Sequence, residues 1–325
     1  MPHATEVSRG ATGPGVLSRL AALGPTYGAL GALVLLVLGN ILLTPGFATP
    51  ANFLNTLVQV TPTVLVAIGM TLVIATGGID LSVGSVMAIA SALAATLLDY
   101  GVGVAILAGL AVAMAAGALN GALIAGFRIQ PIIVTLALLI SGRGIAQVMS
   151  EGGQLIAFTN PAFEYLGRGS VGPIPVQVLI MVAVIALAVF VMRATSFGRY
   201  VIAVGGNEAA ARLAGVKTNQ TKIAIYAISG LLAGVAGLIE TARLAASDAA
   251  KVGLNIELDA IAAVVVGGTP LTGGRATILG TIVGALIMQV ITTSFNMNNI
   301  PFSWSLVLKA AIILVAVYIQ RPKLA

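Results

Sequence analysis

Between residues 27 and 320 the chain is a nearly continuous series of apolar runs, most of them about as long as a bilayer is thick. A helix needs ~20 apolar residues to cross ~30 Å of hydrocarbon. Candidate spans lie at 27–43, 57–76, 83–98, 103–126, 130–149, 176–193, 222–243, 276–295 and 304–320. No stretch between them is long enough to build a soluble domain. Charge points the same way: only 8% of the 325 residues are Asp, Glu, Lys or Arg, against about 25% in a soluble domain. So few charges cannot cover a surface in water, and the solvent must be lipid.

A tenth candidate begins at Ile256 and is unusual. Its apolar helix stops at Val266, and a run that short reaches only ~16 Å. It then enters Gly267-Gly268-Thr269-Pro270-Leu271-Thr272-Gly273-Gly274. Such a segment reads as a broken crossing, half helix and half unwound. Irregular backbone survives at membrane depth only where protein buries it or a water-filled path runs beside it. The expected fold is therefore an all-α integral membrane protein with about ten transmembrane helices, one of them broken.

Charge asymmetry sets the expected orientation. With ten crossings and the N-terminus inside, the cytoplasmic segments hold eleven basic residues against three acidic ones, and the external segments four against seven. Both termini are then cytoplasmic. The net charge of +6 faces the inner membrane surface, which excludes nucleic acid as its partner. Residues 1–26 form an expected disordered cytoplasmic tail, residues 27–321 a single transmembrane domain, and residues 322–325 a cytoplasmic tail. The first apolar run is too long for the core of a cleaved signal peptide, so an uncleaved span is expected. Cysteine is absent and His3 is the only histidine. Disulfides, thiolate or histidine metal sites and a cysteine nucleophile are excluded, and no catalytic or metal-ligating residue is assigned.

Two stretches carry the functional signal. In Gly77-Gly78-Ile79-Asp80-Leu81-Ser82 two glycines end a span, an ionisable residue sits at the edge of hydrocarbon, and Ser82 is placed to cap the next helix. An acid at that depth is costly and marks a gating or transport role, or else an acceptor for backbone N–H groups in a tight turn. Within the cytoplasmic segment 194–221 lies Asn207-Glu208-Ala209-Ala210-Ala211-Arg212-Leu213-Ala214-Gly215. Asn207 suits an N-cap, Glu208 the positive helix start and Gly215 the C-terminal stop. The product is a short Ala-rich helix projecting from the membrane, shaped to dock in a partner's groove.

Other features are weaker. Gln289, Thr292, Thr293 and Asn296 recur on one helix face, as do Asn52, Asn55 and Gln59. Such faces either line a path for a neutral polyol or hydrogen-bond between helices. The glycine pairs 117/121, 230/234 and 280/284 permit close helix packing. GGIDLSVG at 77–84 is weakly echoed by GGTPLTGG at 267–274. A GxGxxG at 167–172 follows no strand and is no dinucleotide site.

These two stretches, with Glu257-Leu258-Asp259-Ala260-Ile261 leading to GGTPLTGGR, resemble the sugar-importing ABC permeases of the ribose, xylose and galactofuranose group. The likeness covers residues 45–321, and AIGMTLVIATGGIDLSVG and IQPIIVTLALLISGRGIAQ are most similar to galactofuranose permeases. The resemblance implies a multi-pass protein of the bacterial inner membrane. It implies a dimer with a second copy or a sister permease, two ATPase domains inside and a periplasmic sugar-binding protein outside. Residues 205–216 would form the coupling helix to the ATPase. Gly77, Gly78, Asp80, Ser82, Glu257, Asp259, Gly267, Gly268, Gln289, Thr292, Thr293 and Asn296 are the candidates for gating or translocation. No GxxxxGK[ST] phosphate loop occurs in the chain, so ATP and Mg would be used by the partner and no cofactor is bound here. Rival expectations are import of branched-chain amino acids or nucleosides, and an ion-coupled secondary transporter. The latter is disfavoured because the sequence shows no histidine relay and no dense intramembrane charge pair.

Overall fold

The computed structural model describes residues 24–320. The expected tail therefore lies outside the described residues as far as residue 23, and the first helix begins at Gly24 rather than residue 27. The C-terminal tail also lies outside them. Among the described residues there are thirteen α-helices and four two-residue strands. In chain order, α1 is Gly24–Leu43, α2 Pro50–Ala75, α3 Val83–Thr96, α4 Val102–Phe127 and α5 Pro131–Met149. Then come β1 (Ile156–Ala157), α6 (Pro161–Arg168), β2 (Ser170–Val171), β3 (Ile174–Pro175) and α7 (Val176–Ala194). The second half holds α8 (Ser196–Gly206), α9 (Glu208–Leu213), α10 (Thr218–Leu244), β4 (Ala246–Ser247), α11 (Ile256–Val266), α12 (Ile278–Met297) and α13 (Phe302–Gln320).

Six helices are both long and apolar enough to cross a bilayer: α2, α4, α5, α7, α10 and α12. The apolar stretches of α1, α3 and α13 are shorter, and α11 is shorter still. Helix α2 starts seven residues before the expected span. Pro50 occupies its first turn and Thr49 caps it, accepting from the Asn52 N–H at 3.3 Å. Asn52, Asn55 and Gln59 therefore sit inside a helix.

Helices α2 and α10 form the centre. Most side chains of α2 from Val60 to Ala75 are buried, and α10 packs along α4, α2 and α3. Small residues make this possible. A Cβ on Gly117 of α4 would meet the Tyr226 carbonyl of α10, and one on Gly230 of α10 would lie 3.1 Å from Gly117. Gly280 and Gly284 of α12 press in the same way on the backbone of Gly267 and Ala263. All three expected glycine pairs are thus helix-packing surfaces. Around this centre α4, α5 and α7 turn large apolar side chains outward, among them Leu107, Ile140, Leu187 and Phe190. In water that surface would be untenable; in lipid it is the ground state.

The two ends of the bundle differ. One carries α8 and α9. The other carries α6, the antiparallel pair β1–β4 and the hairpin β2–β3. The GxGxxG stretch falls at this second end, between α6 and the hairpin, with Gly167 buried against Arg243.

Candidate functional site

At the α9 end the short helix is punctuated as its sequence predicts. The Asn207 side chain accepts from the Ala210 N–H at 2.9 Å. Gly215 closes the helix at φ +85°, with the Val216 N–H donating to the Ala211 carbonyl at 3.0 Å. Ala211 alone of its residues is buried, anchoring the helix, while Ala209, Ala210, Arg212, Leu213 and Ala214 are exposed. Leu213 is 91% exposed, an apolar tip at the polar end of the molecule. Glu208 accepts from Lys222 at 2.6 Å and from Arg212 at 3.2 Å, pinning α9 to the start of α10. Burial pushes the Glu208 carboxyl up, but these two cations outweigh it and hold the group below its ordinary value. A groove of about 710 Å³ runs beside α9, lined by Arg128, Gln130, Pro131, Arg212, Leu213 and Lys222.

Behind α9 lies the Asp80 turn. Asp80 is 1% exposed. Its Oδ1 accepts from the Ser82 N–H at 3.0 Å and the Ser82 hydroxyl at 2.6 Å, and its Oδ2 accepts from the Ser229 hydroxyl at 2.8 Å. Asn120 donates to Ser82 Oγ at 2.9 Å, and Thr135 donates to the Ile79 carbonyl at 3.3 Å. The turn therefore ties α4, α5 and α10 together. Ser82 precedes α3 but makes no capping bond with its side chain, contrary to expectation, because Asp80 holds its hydroxyl. Gly77 adopts φ +78°, and a Cβ on Gly78 would strike the Tyr226 hydroxyl.

The broken crossing is buried at its break: Gly267, Gly268 and Thr269 are all inaccessible. Its unwound half is held by two threonines that sequence reasoning passed over. The Thr269 and Thr277 hydroxyls lie 2.7 Å apart, the Thr277 N–H donates to Thr269 Oγ1 at 3.0 Å, and Thr277 Oγ1 donates to the Gly267 carbonyl at 3.0 Å. Hydroxyls replace the helical ladder, as irregular backbone within protein requires. The only sequence signal was their place on either side of the glycines. The two echoing loops meet here, for Gly273 lies against Gly77.

At the α6 end a polar cleft of about 170 Å³ opens between α2, α10 and α11, lined by Gln59, Thr63, Glu240, Arg243, Lys251 and Asp259. Pro62 lies in its wall, inside α2, where its missing N–H leaves one helical carbonyl without its usual partner. Gln289 of α12 donates to Gln59 at 2.9 Å and to Thr293 at 3.3 Å. Gln289, Thr293 and Gln59 are thereby brought together as an interhelical bond at the cleft's edge. Thr292 instead bonds back to the Met288 carbonyl, and Asn296 is exposed near the end of α12. Asp259 accepts from Lys309 of α13 at 2.9 Å, with the lysine side chain 8% exposed. The expected absence of an intramembrane charge pair is therefore corrected. The two residues are fifty apart in sequence, and only the packing of α13 on α11 joins them. Glu257, two residues before Asp259 on α11, is buried with Oε2 unpartnered. It borders a second cavity of about 430 Å³ with Arg143, Gln147 and Asn255. Arg143 clamps the loop before α11, donating to the carbonyls of Ala249 and Val252 at 2.9 and 2.7 Å.

Among the described residues no cluster of three or more carboxylates or histidines is placed to hold a metal ion. The arrangement provides a capped, exposed helix at one end, a polar cleft at the other, and a broken helix between.

A family model described as branched-chain amino acid transport system / permease component matches residues 52–317. The ribose import permease protein of Escherichia coli is 41% identical over 297 residues, covering 90% of this chain and 92% of that protein. Its counterpart from Bacillus subtilis is 41% identical over 299 residues, covering 91% and 92%. The galactofuranose transporter permease protein of Escherichia coli is 42% identical over 279 residues, covering 85% and 81%. No solved structure matches the chain.

Proposed function

We propose, from the premise that this chain belongs to the family of branched-chain amino acid transport system permease components, that it is the membrane subunit of an ABC importer for a neutral monosaccharide. The chain is a transport component and not an enzyme. Its work is to open a path, and the energy comes from elsewhere. ATP and Mg are used by ATPase subunits that dock on α9, and this chain binds no cofactor. A soluble sugar-binding protein delivers solute at the α6 end, in the periplasm, and the protein resides in the bacterial inner membrane. Ten crossings, counting α1, α3, the broken α11 and α13 with the six long spans, put both termini in the cytoplasm. A second copy or a sister permease completes a dimer within the lipid.

One observation carries this reading: the capped helix α9 follows directly on α8, whose Gly205 lies against Gly274 of the broken crossing, in a chain about 40% identical to sugar permeases over most of its length. The cleft at the α6 end supplies amide, hydroxyl, carboxylate and guanidinium groups. Those are the donors and acceptors that a polyol exchanges for water. Ribose and galactofuranose permeases are matched equally well, so a pentose and a hexose are both candidates. A second reading has its own support. The family description names branched-chain amino acids, and the cleft is lined by both acids, Glu240 and Asp259, and bases, Arg243 and Lys251, which suits a zwitterion.

Reconstitution decides between them. Proteoliposomes holding this chain alone should accumulate no sugar under a proton or sodium gradient. With the ATPase and binding protein added they should accumulate ribose or galactofuranose, and uptake should stop when ATP is withdrawn. ATP-dependent uptake of leucine without sugar would keep the machine and replace the substrate. Accumulation by the isolated chain on an ion gradient would overturn the importer reading.

A further inference from the structure

Helix α8 is not a passive connector. It joins α9 through a single residue, Asn207, which ends one helix with its N–H on the Ala203 carbonyl at 3.1 Å and caps the next with its side chain. With no linker between them, a displacement of α9 is a displacement of α8. Two residues back from this hinge, α8 presents Gly205 to two other segments at once. A Cβ on Gly205 would collide with the Ala75 carbonyl at the end of α2, and would stand 2.6 Å from the Gly274 nitrogen in the unwound half of the broken crossing. Those two segments are themselves bonded, the Gly274 N–H donating to the Ala75 carbonyl at 2.9 Å. Gly273 completes the contact: a Cβ there would lie 2.8 Å from the Gly77 nitrogen and 3.1 Å from the Gly205 carbonyl. Gly77, Gly273 and Gly274 all adopt positive φ, at +78°, +83° and +78°.

Three chain segments thus meet backbone against backbone, with no side chain between them. That matters mechanically. A side-chain contact can absorb a displacement by changing rotamer, whereas close-packed backbone cannot yield without moving its whole element. We propose that Gly205 is a positioning residue for transport. Through it a movement of α9 reaches the inner end of α2, which borders the Asp80 turn, and the broken crossing in one step. The proposal rests on the importer reading, since it needs a partner that moves α9. It adds the route by which that movement arrives.

Gly206 provides the control within the same helix, because a Cβ there meets nothing within 4 Å. In the complex reconstituted with ATPase and binding protein, Gly206→Ala should transport like the unaltered chain. Gly205→Ala forces the junction apart, and overpacking of this kind shifts an equilibrium by roughly tenfold or more. It should still co-purify with the ATPase and hydrolyse ATP, but sugar moved per ATP should fall at least about tenfold. Hydrogen exchange on the unaltered complex gives a test that depends on no variant. ATP binding should change protection at residues 76–78 and 272–276 together with 203–213, and Gly205→Ala should abolish the first two responses while keeping the third. Equal sugar-to-ATP ratios in the two alanine variants would overturn the proposal, as would an ATP response confined to 203–213. Loss of ATPase binding by Gly205→Ala alone would overturn it too, assigning Gly205 to docking. If the unaltered chain fails to bind the ATPase, the importer reading itself fails.

Discussion

Asp80 is surrounded by hydrogen-bond donors: one backbone N–H and two serine hydroxyls converge on its carboxylate, from its own turn and from α10. With the side chain inaccessible to water, these bonds are what make an acid tolerable at this depth. Asparagine keeps one acceptor oxygen, and its amide can donate to the Ser229 hydroxyl, which accepts as readily as it donates. Leucine of similar size leaves the donors facing methyl groups, at about 1–3 kcal/mol for each buried group left unpaired. Asp80→Asn should therefore retain most of the thermal stability and uptake, while Asp80→Leu should lose both. Melting in detergent followed by uptake in vesicles reads the two effects separately. Equal loss of uptake in both variants, with melting unchanged, would assign the work to the charge itself. The sequence made the importance of Asp80 legible, since an acid between glycines and hydrocarbon is conspicuous. It did not reveal Ser229 or Asn120, which arrive from helices 149 and 40 residues away and look like ordinary polar residues in packed spans. Thr269 and Thr277 were hidden for the same reason.

Helix α9 was readable almost to the residue, because caps are local chemistry: Asn207, Glu208 and Gly215 act within one or two turns of where they stand. Its attachment to α10 through Lys222 was not readable, because that bond depends on how the chain folds back. The attachment has a pH signature. Glu208 sits below its ordinary value in the folded chain because Lys222 and Arg212 outweigh burial. A carboxyl depressed by folding stabilises the structure above its unfolded pKa, and that contribution is lost as pH falls through the lower, folded value. Protection of the α9 amides against hydrogen exchange should thus be flat near neutrality and fall as the pH drops below the ordinary glutamate value toward the depressed one. Glu208→Gln should show lower protection throughout and no such fall. A fall unchanged in the glutamine variant would mean that another group governs the attachment. The Lys309–Asp259 pair shows the opposite limit of legibility. Each residue was visible on its own element, yet only the packing of α13 on α11 makes them partners. A transmembrane lysine without a visible partner should have prompted a search for one.

At the scale of the whole molecule, the apolar runs made an all-α membrane bundle legible, because each run answers to one constraint, the thickness of hydrocarbon; six of the thirteen helices among the described residues are long and apolar enough to cross it. Which runs are central did not follow: α2 and α4 have similar hydropathy, yet 78% of the apolar window of one is buried and 22% of the other. Hydropathy separates membrane from water and cannot separate lipid from protein, since both are apolar. Orientation depends on the balance of lysine and arginine, from which α9 is expected inside and α6 outside. The chain offers a direct means of testing it, because it has no cysteine and a single introduced thiol is the only one that can react. Ser170 and Ala209 stand exposed at opposite ends of the bundle, one in the hairpin after α6 and the other on α9. In intact spheroplasts a membrane-impermeant maleimide should label Ser170→Cys and leave Ala209→Cys untouched; in inverted vesicles the pattern should reverse. Labelling of both positions from the same side would require an even number of crossings between them, in place of the single passage through α7. Labelling with the opposite polarity would keep the bundle, invert it in the membrane, and remove the ATPase from α9.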